Sequence, residues 1–299
     1  MEKLISVIIP TYNRSDKIER AIISVLNQSY KNIELIVIDD NANNKEERMK
    51  TKNVVEKYKN IKYIENTENM GGALTRNIGI NNAQGDYIAF LDDDDEFIYN
   101  KLELQMKLMT EKENEGKNVA LIYCYKRLID NEGNTKFIGR MDNQGCCLFE
   151  HMKNCIETTS TWLCKKEALI KVGSFENVKA HQDNILLMKL LGNGYEIYRV
   201  PEILLNFYMH NGNGITKRNK DYIEYTKILI EFKKKFYKKL NKKEIEEIEY
   251  NNKCMLFELY MENKMKKESK MIIYDIKQNN KFRLHTLKML LKYIRWRKE

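Results

Sequence analysis

Four consecutive aspartates, Asp92 to Asp95, follow directly on the apolar run Tyr87-Ile88-Ala89-Phe90-Leu91. Neighbouring carboxylates repel, and none leaves water cheaply without a compensating cation. An oxygen-seeking divalent ion such as Mg²⁺ or Mn²⁺ takes one or two carboxylates and keeps positions for water and phosphate. On extended backbone alternate side chains share a face, so Asp92 and Asp94 should form a D-x-D pair while Asp93 and Asp95 point elsewhere. The plainer reading is a solvated acidic turn that caps the next helix. Two further apolar runs end in polar groups. Residues 4–9 lead to Thr11 and Asn13, and residues 35–38 lead to Asp39-Asp40. One of that aspartate pair could accept hydrogen bonds from a nucleobase or ribose, or could cap a helix. Arg76 and Asn77 lie in the first turns of a helix opened by Gly71-Gly72, where an arginine reaches phosphate or base, or is simply a surface residue.

The elements that must position these groups alternate. Apolar runs at 4–9, 35–38 and 87–91 read as buried strands, and a short strand is expected near 62–65. Ser15 or Asp16 is expected to cap a helix through Asn27, with further helices at 45–58, 73–82 and 99–113. This βαβ spacing predicts an α/β fold with a mainly parallel sheet flanked by helices. Right-handed crossovers then bring the C-terminal strand ends, with their polar groups, to one edge. Strands are expected at 119–129, 136–138, 158–163, 196–200 and 204–208, and helices at 166–172 and 183–191. Beyond residue 221 the pattern is helical to the end.

The 299 residues and 42% hydrophobic content support a substantial core. No apolar run is long enough to span a bilayer, and the first one reads as a strand and not a signal peptide, so the expected location is cytoplasmic. The six cysteines, at 124, 146, 147, 155, 164 and 254, lack zinc spacing and are expected to be reduced thiols. Residues 217–299 hold 24 Lys and Arg against 12 Asp and Glu, whereas the whole chain is only +9. That asymmetry sets the expected division: a catalytic domain over 1–216 and a basic helical region over 217–299.

The stretch S-V-I-I-P-T-Y-N-R-S-D, continuing to I-E-L-I-V-I-D-D, resembles the N-terminal signature of family 2 glycosyltransferases of the GT-A fold. N-M-G-G-A-L-T-R-N-I-G through A-F-L-D-D-D-D resembles it too, as does A-H-Q-D-N-I-L-L-M-K-L-L-G-N-G-Y; the similarity spans residues 3–212. It implies a nucleotide-diphospho-sugar donor, most often a UDP-sugar, and an inverting transfer to a saccharide or lipid-linked acceptor. Pro10, Thr11, Tyr12 and Asn13 would line the base and ribose pocket, Asp39 would bind the base, and Arg76 would lie near base and phosphates. Asp92, helped by Asp93, would hold the ribose or metal-bound water, Asp94 would ligate Mn²⁺ or Mg²⁺, and Asp183 would be the catalytic base. Two departures stand out. Gln182-Asp183 replaces the common Glu-Asp, with His181 before it, and Asp39-Asp40-Asn41-Ala42 replaces D-D-G-S. His210 falls where relatives place a histidine near the diphosphate, His181 is a candidate acceptor contact, and Trp162 is either a sugar-stacking face or a core residue.

A nucleotidyltransferase for sugar-1-phosphates would use a similar metal site but a Gly-rich first loop, and here that loop is P-T-Y-N-R-S-D. A scaffold that binds nucleotide sugars without turnover stays open through the Gln-Asp replacement. The basic C-terminal helices suit an anionic membrane surface, or else pack on the main domain with a solvated lysine face. No nucleic-acid motif appears, so nucleic acid is not an expected partner.

Overall fold

A computed structural model describes residues 2–209, 218–280, 288–291, 293–294 and 296. The chain builds β1 (Ile5–Thr11), α1 (Ile18–Leu26), β2 (Ile33–Asp39), α2 (Lys45–Val55), β3 (Ile61–Glu65), α3 (Gly71–Asn82) and β4 (Tyr87–Phe90). These strands lie in the order β3-β2-β1-β4, all parallel. Their registers place Thr11 opposite Asp39 and Ile8 opposite Phe90, so the polar strand ends do share one edge. Ile5, Val7, Ile9, Leu35, Val37 and Ala89 are wholly or almost wholly buried, which is why these runs read as continuous apolar strands. Helix α3 packs tightly on β1: a Cβ on Gly79 would come within 2.5 Å of Ile8 Cγ2.

The second half is mixed. It comprises β5 (Glu96–Phe97), α4 (Lys101–Asn114), β6 (Val119–Ile129), β7 (Thr135–Gly139), α5 (Leu148–Lys153), β8 (Leu163–Lys165), α6 (Lys166–Lys171), α7 (Gln182–Gly192) and β9 (Glu196–Tyr208). The sheet continues β4-β8-β6-β9-β5, with β7 on β6; β8 runs antiparallel to both β4 and β6, while β9 is parallel to β6.

Three local expectations are corrected, and one short strand was not expected. Neither Ser15 nor Asp16 caps α1; the carbonyl of Arg14 instead accepts from the amides of Lys17 and Ile18, at 3.0 and 3.2 Å. The strand expected over 158–163 is a 3₁₀ turn at Thr159–Thr161, with strand only from Leu163. The two strands expected over 196–208 are one, β9, because its register on β6 jumps from Val200 to Ile203 and Pro201-Glu202 bulge out without breaking it. Two-residue β5 carries no periodic signal in the sequence.

Packing divides the chain into two units, Met1–His151 with Cys155–Gly212, and Met152–Asn154 with Asn213–Glu299. The expected boundary at 216/217 lies outside the described residues. The second unit contains α8 (Lys220–Lys234), α9 (Lys242–Glu262) and α10 (Lys266–Asn280). Asn219 caps α8, and Asn241 with Glu244 forms a capping box on α9. Phe257, Met261, Ile273 and Ile276 form its core with Met289 and Tyr293. No helix among the described residues is long and apolar enough to cross a membrane.

Candidate active site

The four aspartates form a turn and not an extended segment: the amide of Asp95 donates to the carbonyl of Asp92 at 3.0 Å. The strand alternation expected to pair Asp92 with Asp94 therefore does not operate. The turn instead brings Asp93 and Asp94 together on one cation, with Arg14 Nη1 at 2.9 Å from Asp93 Oδ1 and 2.5 Å from Asp94 Oδ2. Asp92 points to a different arginine, Arg76 Nη2, at 2.5 Å, and its amide is held by Ser160 Oγ. Arg20 completes the frame by donating to the carbonyl of Asp94 at 2.5 Å, its guanidinium lying 3.5 Å over the Tyr208 ring. The cations that stabilise this cluster are thus protein arginines. Burial pushes the Asp93 carboxyl up to about 6 even with Arg14 drawing it down. Burial likewise raises Asp95 well above the usual carboxylate range; it sits fully enclosed, one oxygen accepting from the Tyr208 amide and the other without a hydrogen bond.

The β1 loop wraps this turn. Tyr12 donates its amide to Asp93 Oδ2 at 3.3 Å, and the residue is 47% exposed. Asn13, with φ 53°, donates to Asn41 Oδ1 at 2.7 Å and is bonded by Asn44. Pro10 and Thr11 are the last residues of β1, and Thr11 is buried. Asp39 has no exposed surface. Tyr63 donates to one of its oxygens at 2.5 Å and the Asn41 amide to the other at 2.7 Å, with Arg48 at 3.5 Å, so contact with a base requires this turn to open. Asp40 is the helix cap: it receives the amides of Met70 and Gly71, at 2.8 and 2.9 Å, at the start of α3 and not at the start of the helix that follows it in sequence.

Arg76 connects the two halves of the site. Besides Asp92, it donates from Nη1 to Gln182 Oε1 at 3.1 Å, and a Cβ on Gly72 would crowd that nitrogen at 3.1 Å. Gln182 opens α7 and also donates to the carbonyl of Val178 at 3.0 Å. A neutral amide thus does here what a carboxylate would do as an ion pair, leaving the arginine charge to Asp92. Beside it, half-buried Asp183 accepts from the Asn184 amide at 2.8 Å, and burial raises its carboxyl above the ordinary aspartate value although Arg76 and Lys126 pull it down. His181 enters the helix with φ 62°. Lys126 is held by buried Glu157 at 3.0 Å.

Trp162 does not line this site. It is fully buried with its indole N–H unpartnered, so no ring face is available for sugar stacking. His210 lies outside the described residues. The residues that sequence reasoning missed are Arg14, Arg20, Ser160 and Tyr63. Arg14 stands inside the quoted P-T-Y-N-R-S-D and was legible as the first cation after β1; the others carry no local signal. An open groove of about 920 Å³ walled by Arg20, Ile23, Leu26, Phe97 and Tyr99 holds none of the expected reacting groups.

No cluster of three or more metal-ligating side chains occurs among the described residues. A divalent ion bound with a diphosphate needs fewer, and Asp94, a hard oxygen donor whose side chain keeps 12% exposure at the turn, fits such an ion.

The sequence model of the family described as Glycosyl transferase family 2 matches residues 6–176. The chain is 30% identical over 213 residues to a Bacillus subtilis protein named as a teichuronic acid biosynthesis glycosyltransferase, covering 70% of this chain and 81% of that one. Among solved structures it resembles S. aureus TarS 1-349 in complex with UDP-GlcNAc, with TM-score 0.61 and 17% identity over 98% of this chain and 81% of that one. It also resembles a mannosyltransferase from Pyrobaculum calidifontis in complex with GDP-Man and Mn²⁺, with TM-score 0.63 and 16% identity over 98% of this chain and 79% of that one.

Proposed function

The chain belongs to glycosyl transferase family 2, and from that premise we propose that it moves a sugar from a UDP-sugar to a hydroxyl of a saccharide or lipid-linked saccharide, with inversion. One observation carries the reading: Arg76 pairs with Asp92 at the donor-side turn and also bonds Gln182, the neighbour of Asp183, 106 residues further along the chain. A donor held at the turn is thereby presented to a carboxylate that accepts a proton. Tyr12 stacks on the base from the exposed end of β1. Asp94 would hold the divalent ion and Asp92 the ribose or the ion's bound water; when bound, the ion neutralises charge on the departing diphosphate. Asp183 takes the proton of the acceptor hydroxyl as that oxygen attacks the anomeric carbon from the face opposite the diphosphate. Its raised carboxyl suits a base that must hold a proton transiently. The setting we propose is bacterial surface polysaccharide assembly, following the teichuronic acid relative.

A thermal-shift screen of UDP-, GDP- and dTDP-sugars with Mn²⁺ tests the donor. UDP-sugars should raise Tm by several degrees at saturating concentration, and EDTA should erase most of the rise. Failure of every nucleotide to stabilise the protein counts against the proposal.

A lipid-linked acceptor would be met at a membrane surface, and α10 offers a face for it. Lys267, Lys270, Met271, Tyr274 and Lys277 are exposed at helical spacing, Met271 and Tyr274 by 65% and 63%. Vesicles containing about one third phosphatidylglycerol should sediment the protein, and reversing Lys267, Lys270 and Lys277 to Glu should abolish this. Equal binding to purely zwitterionic vesicles would sink the idea.

A further inference from the structure

Two backbone segments meet beside Asp183 in conformations that side chains seldom adopt. His181 has φ 62°, and Glu157, in the loop that approaches from α5, has φ 44°. Such a residue persists only where its surroundings hold it. His151 joins the two segments. It is 2% exposed; Nδ1 accepts from the Ile156 amide at 3.3 Å, and Nε2 lies 2.9 Å from the carbonyl of Asn184. Acceptance at Nδ1 places the proton on Nε2, so one neutral imidazole makes both bonds. Asn184 carries the link onward, because its amide donates to Asp183 Oδ1 at 2.8 Å. The carbonyl of one residue is therefore held by His151 while its amide fixes the carboxylate. The loop on the other side of His151 supplies Glu157, whose ion pair sets the position of Lys126, a cation that acts on Asp183.

We propose that His151 is a positioning residue for the transfer reaction: it clamps the 155–158 loop to the first turn of α7 and so fixes Asp183 relative to the Lys126–Glu157 pair, where the acceptor hydroxyl arrives. The proposal rests on Asp183 being the base. Glycosyl transfer falls steeply when the attacking oxygen and its base are misplaced by fractions of an ångström, so the clamp acts on turnover and leaves donor binding alone.

The test measures nucleotide release with the best donor among UDP-GlcNAc, UDP-glucose and GDP-mannose. In His151→Ala, kcat should fall by about tenfold to a hundredfold with donor KM within about threefold. His151→Gln, which keeps an N–H donor at the level of Nε2, should recover most of that rate. An unchanged kcat in folded His151→Ala, or a glutamine variant no better than alanine, overturns the proposal. If the alanine variant does not fold, His151→Gln against His151→Asn decides the same question, and equal rates overturn it. A wild-type rate in Asp183→Asn would instead remove the base reading itself, whatever His151 does.

Discussion

Asp183→Asn should reduce sugar transfer by about 10²- to 10⁴-fold, the usual contribution of a general base, while leaving nucleotide binding close to wild type. The same substitution should raise the melting temperature at neutral pH. Burial raises the Asp183 carboxyl above its ordinary value, so the fold favours the protonated form and the ionised form costs stability. A carboxyl with a raised folded-state value contributes fully below the unfolded value and loses that contribution as pH rises through the folded value. The stability gained from asparagine should therefore appear at neutral pH and vanish in acid. Activity runs the other way, since only the ionised form accepts a proton. The acidic limb of kcat/KM in the wild type should lie above the ordinary aspartate range, and the residual rate of the variant should lack that limb. A residual rate within tenfold of wild type, or a loss of nucleotide binding equal to the loss of rate, would show that Asp183 is not the base.

The sequence made the frame legible because apolar runs of parallel strands are continuous and end in polar residues. Residues 4–9, 35–38 and 87–91 each deliver Thr11, Asp39 or Asp92 to one edge, and that is where the structure has them. What could not be read was which partner each polar group finds. Asp40 caps a helix that begins thirty residues later in the chain, a choice made by the parallel register of β1 and β2 and by no local pattern. The D-x-D alternation failed because Asp92 to Asp95 close a turn, and a turn is decided by one backbone hydrogen bond that four identical side chains do not signal. Trp162 and His151 show the same limit from opposite sides. An aromatic residue upstream of Asp183 was a candidate for sugar contact and is buried in the core, whereas an unremarked histidine in L-F-E-H-M-K bonds the turn that carries Asp183. Long-range pairing decided both.

The two partners of one ion pair, Arg14 and Asp94, should respond in opposite ways to substitution. Asp94→Asn removes one of two adjacent carboxylates and leaves Arg14 still paired with Asp93, so the stability of the metal-free protein should change little. It also removes a hard anionic donor, and Mn²⁺-dependent nucleotide binding should weaken, with transfer falling by about a hundredfold or more. Arg14→Ala does the reverse. It leaves Asp93, whose side chain is only 4% exposed, without its cation. The expected loss is about 2 kcal/mol, below the full cost of an unpaired buried charge because the guanidinium itself reaches solvent. That loss should be largest in EDTA and partly reversed by millimolar Mn²⁺, because a divalent ion held by Asp94 would supply positive charge next to Asp93 in place of the arginine. In the wild type Mn²⁺ alone should shift the melting temperature little, since Arg14 already balances the turn. Urea denaturation of the wild type and both variants, with EDTA and with Mn²⁺, measures the stability changes, and nucleotide binding and transfer are assayed beside it. A stability loss in Arg14→Ala that is the same under both conditions would mean that the metal does not bind where Arg14 acts, and would move the donor site away from Asp94.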